Sequence, residues 1–168
     1  MNKVHPVVIA VAVASLLACS SATPGGDPAT ASLDHARYAA AEIELVGEGG
    51  LAAFATRHRV RGEGPTFLFT RHRICSVPSC QPALDSAAGA LATRTADSLF
   101  AVAEGLGLFG LKDDYGITVG GADMITYTLR VQLGGRTKTV RADDGTMPEP
   151  MRRVAEALRS TIDAARAK

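Results

Sequence analysis

The feature that most limits the fold of this chain is a regular alternation of side chains over residues 125–133. Apolar residues hold every second position, and threonine, arginine and glutamine hold the positions between them. Because successive side chains of a strand point to opposite faces, this pattern predicts a strand with one face on a core and the other in water. Gly134-Gly135 then predicts a tight hairpin turn into a second strand at 136–141. A sheet with one wet face is typically antiparallel.

Further strands are predicted in the N-terminal half of the chain. A short strand at Ile43–Val46 precedes a glycine-rich turn at 47–50. Two stretches at 52–61 and 66–74 flank Gly62-Glu63-Gly64-Pro65, which is typical of a hairpin. These segments add to the antiparallel sheet that the C-terminal alternation predicts.

Apolar residues at helical spacing predict two helices. The first runs from Thr93 or Thr95 to Glu104, and the second begins near Pro148 and has a face of mixed charge. The apolar stripe of the second is Met151, Val154, Ala155, Leu158, Ile162 and Ala165. We therefore expect an α+β fold, a mainly antiparallel sheet of about four to six strands with two helices, the C-terminal helix packed on one face.

Residues 1–18 have the pattern of a bacterial lipoprotein signal. Lys3 precedes an apolar run at 7–17, and Leu16-Leu17-Ala18-Cys19 matches a lipobox. The run is shorter than the ~20 residues that span a bilayer. We expect Cys19 to be the lipidated first residue of the mature protein, with an ordinary cleaved signal and a chance cysteine as the alternative. Ser20 stands where an inner-membrane retention signal has Asp, which favours the periplasmic face of the outer membrane.

The rest of the chain divides into a tether and one domain. Residues 19–40 begin with a Ser-, Ala-, Thr-, Pro- and Gly-rich segment, which predicts a disordered tether. Residues 41–168 have the size of a single domain with one core. The 18 basic and 17 acidic residues nearly balance, so no bulk attraction to nucleic acid is expected. The sequence does not indicate an oligomeric state.

Cys75 and Cys80 form a C-x₄-C pair in a chain that its signal directs out of the cytoplasm. Disulfides persist in such compartments, so we expect Cys75 and Cys80 to be linked. Closing so short a loop stabilises a fold by about 2 kcal/mol in the chain-entropy model, so the bond would mainly hold the shape of the loop. Zinc is the alternative, but the segment offers no further cysteine ligand, and His72 is the one histidine nearby.

The two strands of the N-terminal hairpin nearly repeat each other, with TRHRV at 56–60 and TRHRI at 70–74. A symmetric hairpin places Phe54, Val60, Phe67 and Phe69 on one face and Arg57, Arg59 and Arg61 on the other. These arginines form either a basic surface for an anionic headgroup or acidic partner, or a solvated face that discourages edge aggregation. His58 and His72 would lie on opposite faces, which argues against a shared metal site.

Motifs for catalysis and for cofactors are missing from the sequence. It contains no H-E-x-x-H, no G-x-S-x-G, no Walker A motif and no dinucleotide-binding glycine motif. Asp113-Asp114 and Asp143-Asp144-Gly145 lack the acidic ladder of an EF-hand, so turn formation explains them better than calcium binding. We expect a protein that is not an enzyme and that uses no metal or cofactor.

Three groups of segments occur in an order shared with a known family. They are Ile43–Val46 with Gly49-Gly50-Leu51-Ala52, then Leu108–Leu111 after the middle helix, and last 114–116, 127–131 and 144–149. This order resembles the emfourin-like family, small bacterial inhibitors of thermolysin-like metalloproteases. The resemblance covers about residues 42–166, with an insertion at 61–88. The signal, the tether and the cysteine pair lie outside the pattern of the family.

The resemblance implies a non-catalytic protein that binds and blocks a thermolysin-like metalloprotease. None of the family's protease-contacting residues is assigned to a position of this sequence. The candidate protease-binding segments are therefore chosen from this sequence alone. The first is the segment with Gly49, Gly50 and Leu51, since an ordered segment loses little entropy on binding; the rival is the loop at 75–80. The other hypothesis is an envelope lipoprotein that binds an anionic surface or partner through its basic hairpin.

Overall fold

The computed structural model describes residues 35–50, 53–74, 84–119 and 123–168. These belong to one compact unit that spans Ser32–Lys168. The signal at 1–18 and the sites predicted at Cys19, Leu51, Cys75 and Cys80 lie outside the described residues. Lipidation and the disulfide therefore stay predictions.

Six strands and three α-helices make up the described part of the chain. The strands are β1 (Glu42–Gly49), β2 (Phe54–Arg61), β3 (Thr66–Arg73), β4 (Leu84–Ala90), β5 (Ile125–Leu133) and β6 (Arg136–Asp143). The helices are α1 (His35–Tyr38), α2 (Thr93–Gly105) and α3 (Glu149–Arg166), and a 3₁₀-helix spans Leu108–Gly110.

The strands form one antiparallel sheet in the order β4-β3-β2-β1-β5-β6. β1 lies in the middle, where Leu45 is paired with His58 of β2 on one side and with Leu129 of β5 on the other. α3 packs across β2 and β3 and against α2. The predicted α+β class, the antiparallel sheet and the C-terminal helix on one face are confirmed.

The two faces of the hairpin β2–β3 differ as its alternation predicts. Val60 is paired with Phe67, and His58 with Phe69, and all four side chains are buried. Arg57, Arg59 and Arg61 occupy the positions between them and therefore lie on the outer face of the sheet. The predicted placement of Val60, Phe67 and Phe69 on one face, and of Arg57, Arg59 and Arg61 on the other, is confirmed.

The apolar stripe of α3 is the main cover of the inner face. Its buried residues are Met151, Val154, Ala155, Leu158 and Ile162. Ala165, the last predicted position of the stripe, is half-buried. Glu149 stands in the first turn of the helix and Arg166 in the last, where each charge complements the helix dipole.

Two strands differ from the prediction. β1 continues to Gly49, so residues 47–49 are strand instead of the predicted turn, and Gly47 is paired with both Thr56 and Tyr127. β4 has no counterpart among the predicted elements because its Ala, Ser and Gly residues have low strand propensity. Pairing of β4 with β3, from Thr66 to His72, holds it in the sheet.

The tether predicted at residues 19–40 overlaps helix α1, so its predicted end is corrected. Tyr38 is only 4% exposed, and its ring centroid lies 5.6 Å from that of Phe100 in α2. Its hydroxyl donates to Glu104 at 3.0 Å, and the His35 imidazole lies 3.1 Å from the Asp97 carboxylate. A four-residue helix is not stable alone, so these contacts from α2 hold it. The folded domain therefore includes residues 35–40.

One buried carboxylate holds the turn between β6 and α3. Asp143 accepts hydrogen bonds from the backbone N–H groups of Thr118, Gly145 and Thr146. The hydroxyls of Thr118 and Thr146 also donate to it. These bonds, the one from the Thr118 backbone foremost, hold the pKa of Asp143 well below its usual range. The Asp143-Asp144-Gly145 segment is thus a turn, as predicted, and Asp143 fastens Thr118 to it.

Asp143→Asn should lower the stability of the domain at neutral pH and flatten its response to acid. Folding lowers the pKa of Asp143, so the ionised carboxylate stabilises the domain above pH 3.8, the ordinary pKa of an aspartate. This stabilisation is lost as the pH falls below 3.8. Urea unfolding at about pH 7 and about pH 3 measures both effects. Asp113→Asn, at an exposed carboxylate, is the control. Equal acid sensitivity in wild type and Asp143→Asn would contradict the assignment.

Candidate functional site

An open cleft lies between the C-terminal half of α3 and the end of the sheet where β1 turns into β2. Its volume is about 460 Å³, which is within the range of small-molecule binding sites. Its principal side chains are Phe54, His58, Arg71, Tyr127, Arg159 and Arg166, contributed by β2, β3, β5 and α3. Gly47 and Gly49 of β1 and Gly50 also line it.

The floor of the cleft includes a part of β1 that has no side chains. The inward positions that follow Leu45 are Gly47 and Gly49. A Cβ atom on Gly47 would lie 2.9 Å from Cε1 of Tyr127 and 3.0 Å from Oγ1 of Thr56. The Tyr127 ring therefore lies directly against the β1 backbone and forms part of the floor. Burial and then the nearby Asp144 carboxylate raise the pKa of Tyr127, so its hydroxyl keeps its proton.

His58 is the unusual polar group of the cleft. It is only 7% exposed, and its Nδ1 has no hydrogen-bond partner among the described residues. Burial, and after it the Arg159 charge, lower the pKa of His58 from 6.5 to about 4. The imidazole is therefore neutral at pH 7. Its ring centroid lies 5.1 Å from that of Phe69, so an aromatic ring packs beside it.

Three arginines border the cleft, and each holds its guanidinium over an aromatic ring. The Cζ atoms lie 4.1 Å from the Phe54 centroid for Arg71, 5.1 Å from the Tyr127 centroid for Arg159 and 3.9 Å from the Phe69 centroid for Arg166. A stacked guanidinium still directs its N–H groups outward in its own plane. The cleft therefore combines aromatic surface with oriented hydrogen-bond donors.

The arginines of the cleft differ in their counter-ions. Nη2 of Arg166 lies 3.0 Å from Asp85, and its Nη1 lies 3.7 Å from Asp163. Across the residues that the structure describes, no carboxylate oxygen lies within 4.0 Å of a guanidinium nitrogen of Arg71 or Arg159. Within the described part of the chain, Arg71 and Arg159 therefore make no ion-pair contact with a carboxylate, while Asp85 is the cross-strand neighbour of Arg71 and Asp144 lies near the Tyr127 hydroxyl.

The turn between β1 and β2 forms one rim of the cleft. Gly49 and Gly50 have φ angles of 117° and 76°, in the region that glycine adopts without strain. The Gly50 N–H donates to the Met124 carbonyl at 3.3 Å, and the Gly50 carbonyl accepts from Ala53 at 2.9 Å. The Ile74 N–H donates to the Ala53 carbonyl at 2.5 Å. Both ends of the turn are thus tied to neighbouring segments.

The structure separates the two groups of residues predicted to bind a partner. Gly49 and Gly50 line the cleft, whereas Arg57, Arg59 and Arg61 lie on the outer face of the sheet. There the Nε atoms of Arg61 and Arg57 lie 2.7 Å from Glu42 and 3.4 Å from Glu44. Two of the three arginines are therefore paired with acids of β1, and the outer face has mixed charge.

The two histidines of the repeated segments lie on opposite faces, as predicted. His58 is paired with Phe69 on the inner face, and His72 with Ala55 on the outer face. In the described ranges, no group of three or more His, Cys, Asp or Glu side chains is placed to hold a metal ion. None of the helices in those ranges combines the length and the apolar character needed to cross a membrane.

The sequence patterns did not reveal the cleft. Arg159, Asp163 and Arg166 belong to the polar side of α3 in the sequence, yet they line the cleft beside the apolar stripe. The one local signal is the loss of side chains at the inward positions Gly47 and Gly49. A strand that loses its inward side chains lets a large aromatic residue of the next strand lie against its backbone, as Tyr127 does at Gly47.

The fold and the cleft define an α+β protein with its two long helices on one face of an antiparallel sheet and an open site of ligand size under the last helix. No model of a known protein family matches the chain, and no curated protein sequence matches it.

Proposed function

We propose that this chain is a lipid-anchored, non-catalytic protein of the bacterial cell envelope that binds and inhibits a thermolysin-like metalloprotease. Cys19 would hold it at the periplasmic face of the outer membrane. The lipobox supports the location, and the resemblance to the emfourin-like family supports the class of partner. The observation that carries the proposal is the fixed geometry of Gly50 and Ala53, the two ends of the turn between β1 and β2.

An inhibitory segment binds more tightly when it is ordered beforehand, because less conformational entropy is lost on binding. Hydrogen bonds connect Gly50 to Met124 and to Ala53, on the two sides of this turn. Ala53 has a φ of 45°, which a residue other than glycine keeps only when its surroundings hold it there. The ends of the turn are thus ordered, as a protease-binding segment requires.

The alternative function, binding of an anionic surface through the hairpin, has weaker support. Glu42 and Glu44 offset the charges of Arg61 and Arg57, so two of the three arginines are partly neutralised. Arg59 has no such ion pair among the described residues, and one half-buried arginine attracts an anionic surface only weakly at physiological salt. The three arginines serve instead as a control for the proposed site.

Gly50→Val should abolish inhibition while the domain stays folded. A β-branched residue is strongly disfavoured at the φ of 76° that Gly50 adopts, so the turn must change shape. We expect the inhibition constant to rise by about 100-fold or more, which corresponds to the strain of such a backbone position. The measurement is a titration of the full chain, in detergent, against a panel of thermolysin-like proteases.

The matched control replaces Arg57, Arg59 and Arg61 together by Gln, which should leave inhibition intact. Inhibition of no protease by the wild-type chain at micromolar concentration would overturn the proposal. If the arginine variant lost protease binding and Gly50→Val did not, the hairpin and not the turn would be the protease-binding site. Thermal unfolding of both variants establishes that they are folded.

A further inference from the structure

We propose that the cleft between α3 and the sheet binds a small monocarboxylate that carries a flat apolar group. A free aromatic acid and the terminal carboxylate of an aromatic residue share this chemistry. The proposal does not depend on protease inhibition, because its main residues belong to β2, β3, β5 and α3 and not to the β1–β2 turn.

The shape and lining of the cleft fit a flat apolar group. Phe54, Phe69 and Tyr127 contribute aromatic surface. The Tyr127 ring covers the backbone of Gly47 and forms a flat part of the floor, on which a planar apolar group can stack. Aromatic surface with a few convergent polar groups is the usual composition of a small-molecule site.

The charges of the cleft fit one carboxylate. Arg71 and Arg159 have no carboxylate within 4.0 Å in the described part of the chain, and a guanidinium matches a carboxylate through two parallel N–H donors. Their stacking on Phe54 and Tyr127 orders both side chains before binding, which lowers the entropy cost. Two acids, Asp123 and Asp163, also line the cleft, and they disfavour a doubly charged group such as phosphate.

His58 adds an almost completely buried ring to the wall of the cleft. Its Nδ1 has no exposed surface and no hydrogen-bond partner among the described residues, so a ligand in the cleft would not reach that atom. The imidazole would instead contact the flat group of the ligand beside Phe69, whose ring centroid lies 5.1 Å away.

The test uses the full chain in detergent and two probes, 3-phenylpropionate and a short peptide that ends in Phe with a free carboxylate. The amide of each probe is its neutral control. Binding is measured by NMR titration, with the side-chain signals of His58 and Tyr127 reporting the location. Arg71→Gln and Arg159→Gln should each weaken binding by about tenfold or more, as loss of a charge-assisted hydrogen bond implies. Arg59→Gln, on the opposite face of the same sheet, should leave it unchanged.

Saturable binding of either acid, without binding of its amide, supports the proposal. Binding of the peptide alone identifies a chain terminus as the source, and binding of 3-phenylpropionate alone identifies a free acid. The proposal is overturned if neither acid binds, if the amides bind equally well, or if Arg59→Gln weakens binding as much as Arg159→Gln. Binding that leaves the His58 and Tyr127 signals unchanged would also overturn it, because the probe would then lie elsewhere.

Discussion

Gly62→Ala should destabilise the domain by about 3 kcal/mol, the cost of forcing an extra group into a filled space. A Cβ atom at this position would lie 1.8 Å from the carbonyl oxygen of Tyr38 and 2.9 Å from its carbonyl carbon. The obstacle is backbone, which cannot rotate away as a flexible side chain does. The Gly62 N–H also donates to Ala41 at 2.8 Å. The substitution should therefore detach α1 from the sheet.

Urea unfolding measures the loss of stability, and hydrogen exchange at the Gly62 and Ala41 amides reports whether α1 has detached. Gly105→Ala is the matched control, because nothing lies within 4 Å of the added Cβ at the end of α2. That variant should be neutral or slightly more stable, since alanine favours helix over glycine. Wild-type stability in Gly62→Ala would show that α1 is not fastened to the domain at this point.

The domain should lose about 3 kcal/mol of stability between pH 6.5 and about 4 because of His58. Burial lowers the pKa of His58 from 6.5 to about 4, and the charges of Arg159 and Arg166, partly opposed by Asp163, act on it from α3. Below pH 6.5 the unfolded chain binds a proton that the folded chain does not accept until about pH 4. Acid in this range therefore favours the unfolded state.

His58→Gln should remove most of this decline, and unfolding by urea at half-unit steps of pH measures it. The chain offers a matched control in His72→Gln, since His72 occupies the same place in the repeated segment but is exposed on the outer face. That variant should keep the full decline. A decline that persists in His58→Gln would assign the acid sensitivity to another group. Asp143 acts at lower pH, so the two effects are separable.

Local patterns predict the regular elements of this fold well. The alternation at 125–133 and the stripe of α3 coincide with β5 and with buried helix positions, because each pattern repeats over enough residues to define a face. α1 and β4 lack such a pattern. His35–Tyr38 is held by contacts with Asp97, Phe100 and Glu104, and β4 by its pairing with β3. Contacts with residues distant in sequence therefore determine that α1 and β4 form.

The cleft could not be predicted from the sequence for a related reason. The segments TRHRV and TRHRI are nearly identical, yet Arg57 lies on the outer face while Arg71, which is paired with Thr56, lies on the inner face. Only the register of the hairpin distinguishes them. The approach of Arg159 to Tyr127 further depends on how α3 crosses the sheet, which neither segment encodes by itself.

The position of β1 in the middle of the sheet also sets the order in which the domain can form. β1 to β4 follow one another in the chain and pair as neighbours, whereas Leu45 meets Leu129 only after a long intervening segment. Local pairings form sooner than distant ones, and synthesis delivers the N-terminal strands first. Val60 and Phe67 stay uncovered until α3, the last of the described elements, packs on β2 and β3. A chain that stops before Glu149 would expose this apolar surface, so the end of the chain decides whether its beginning stays folded.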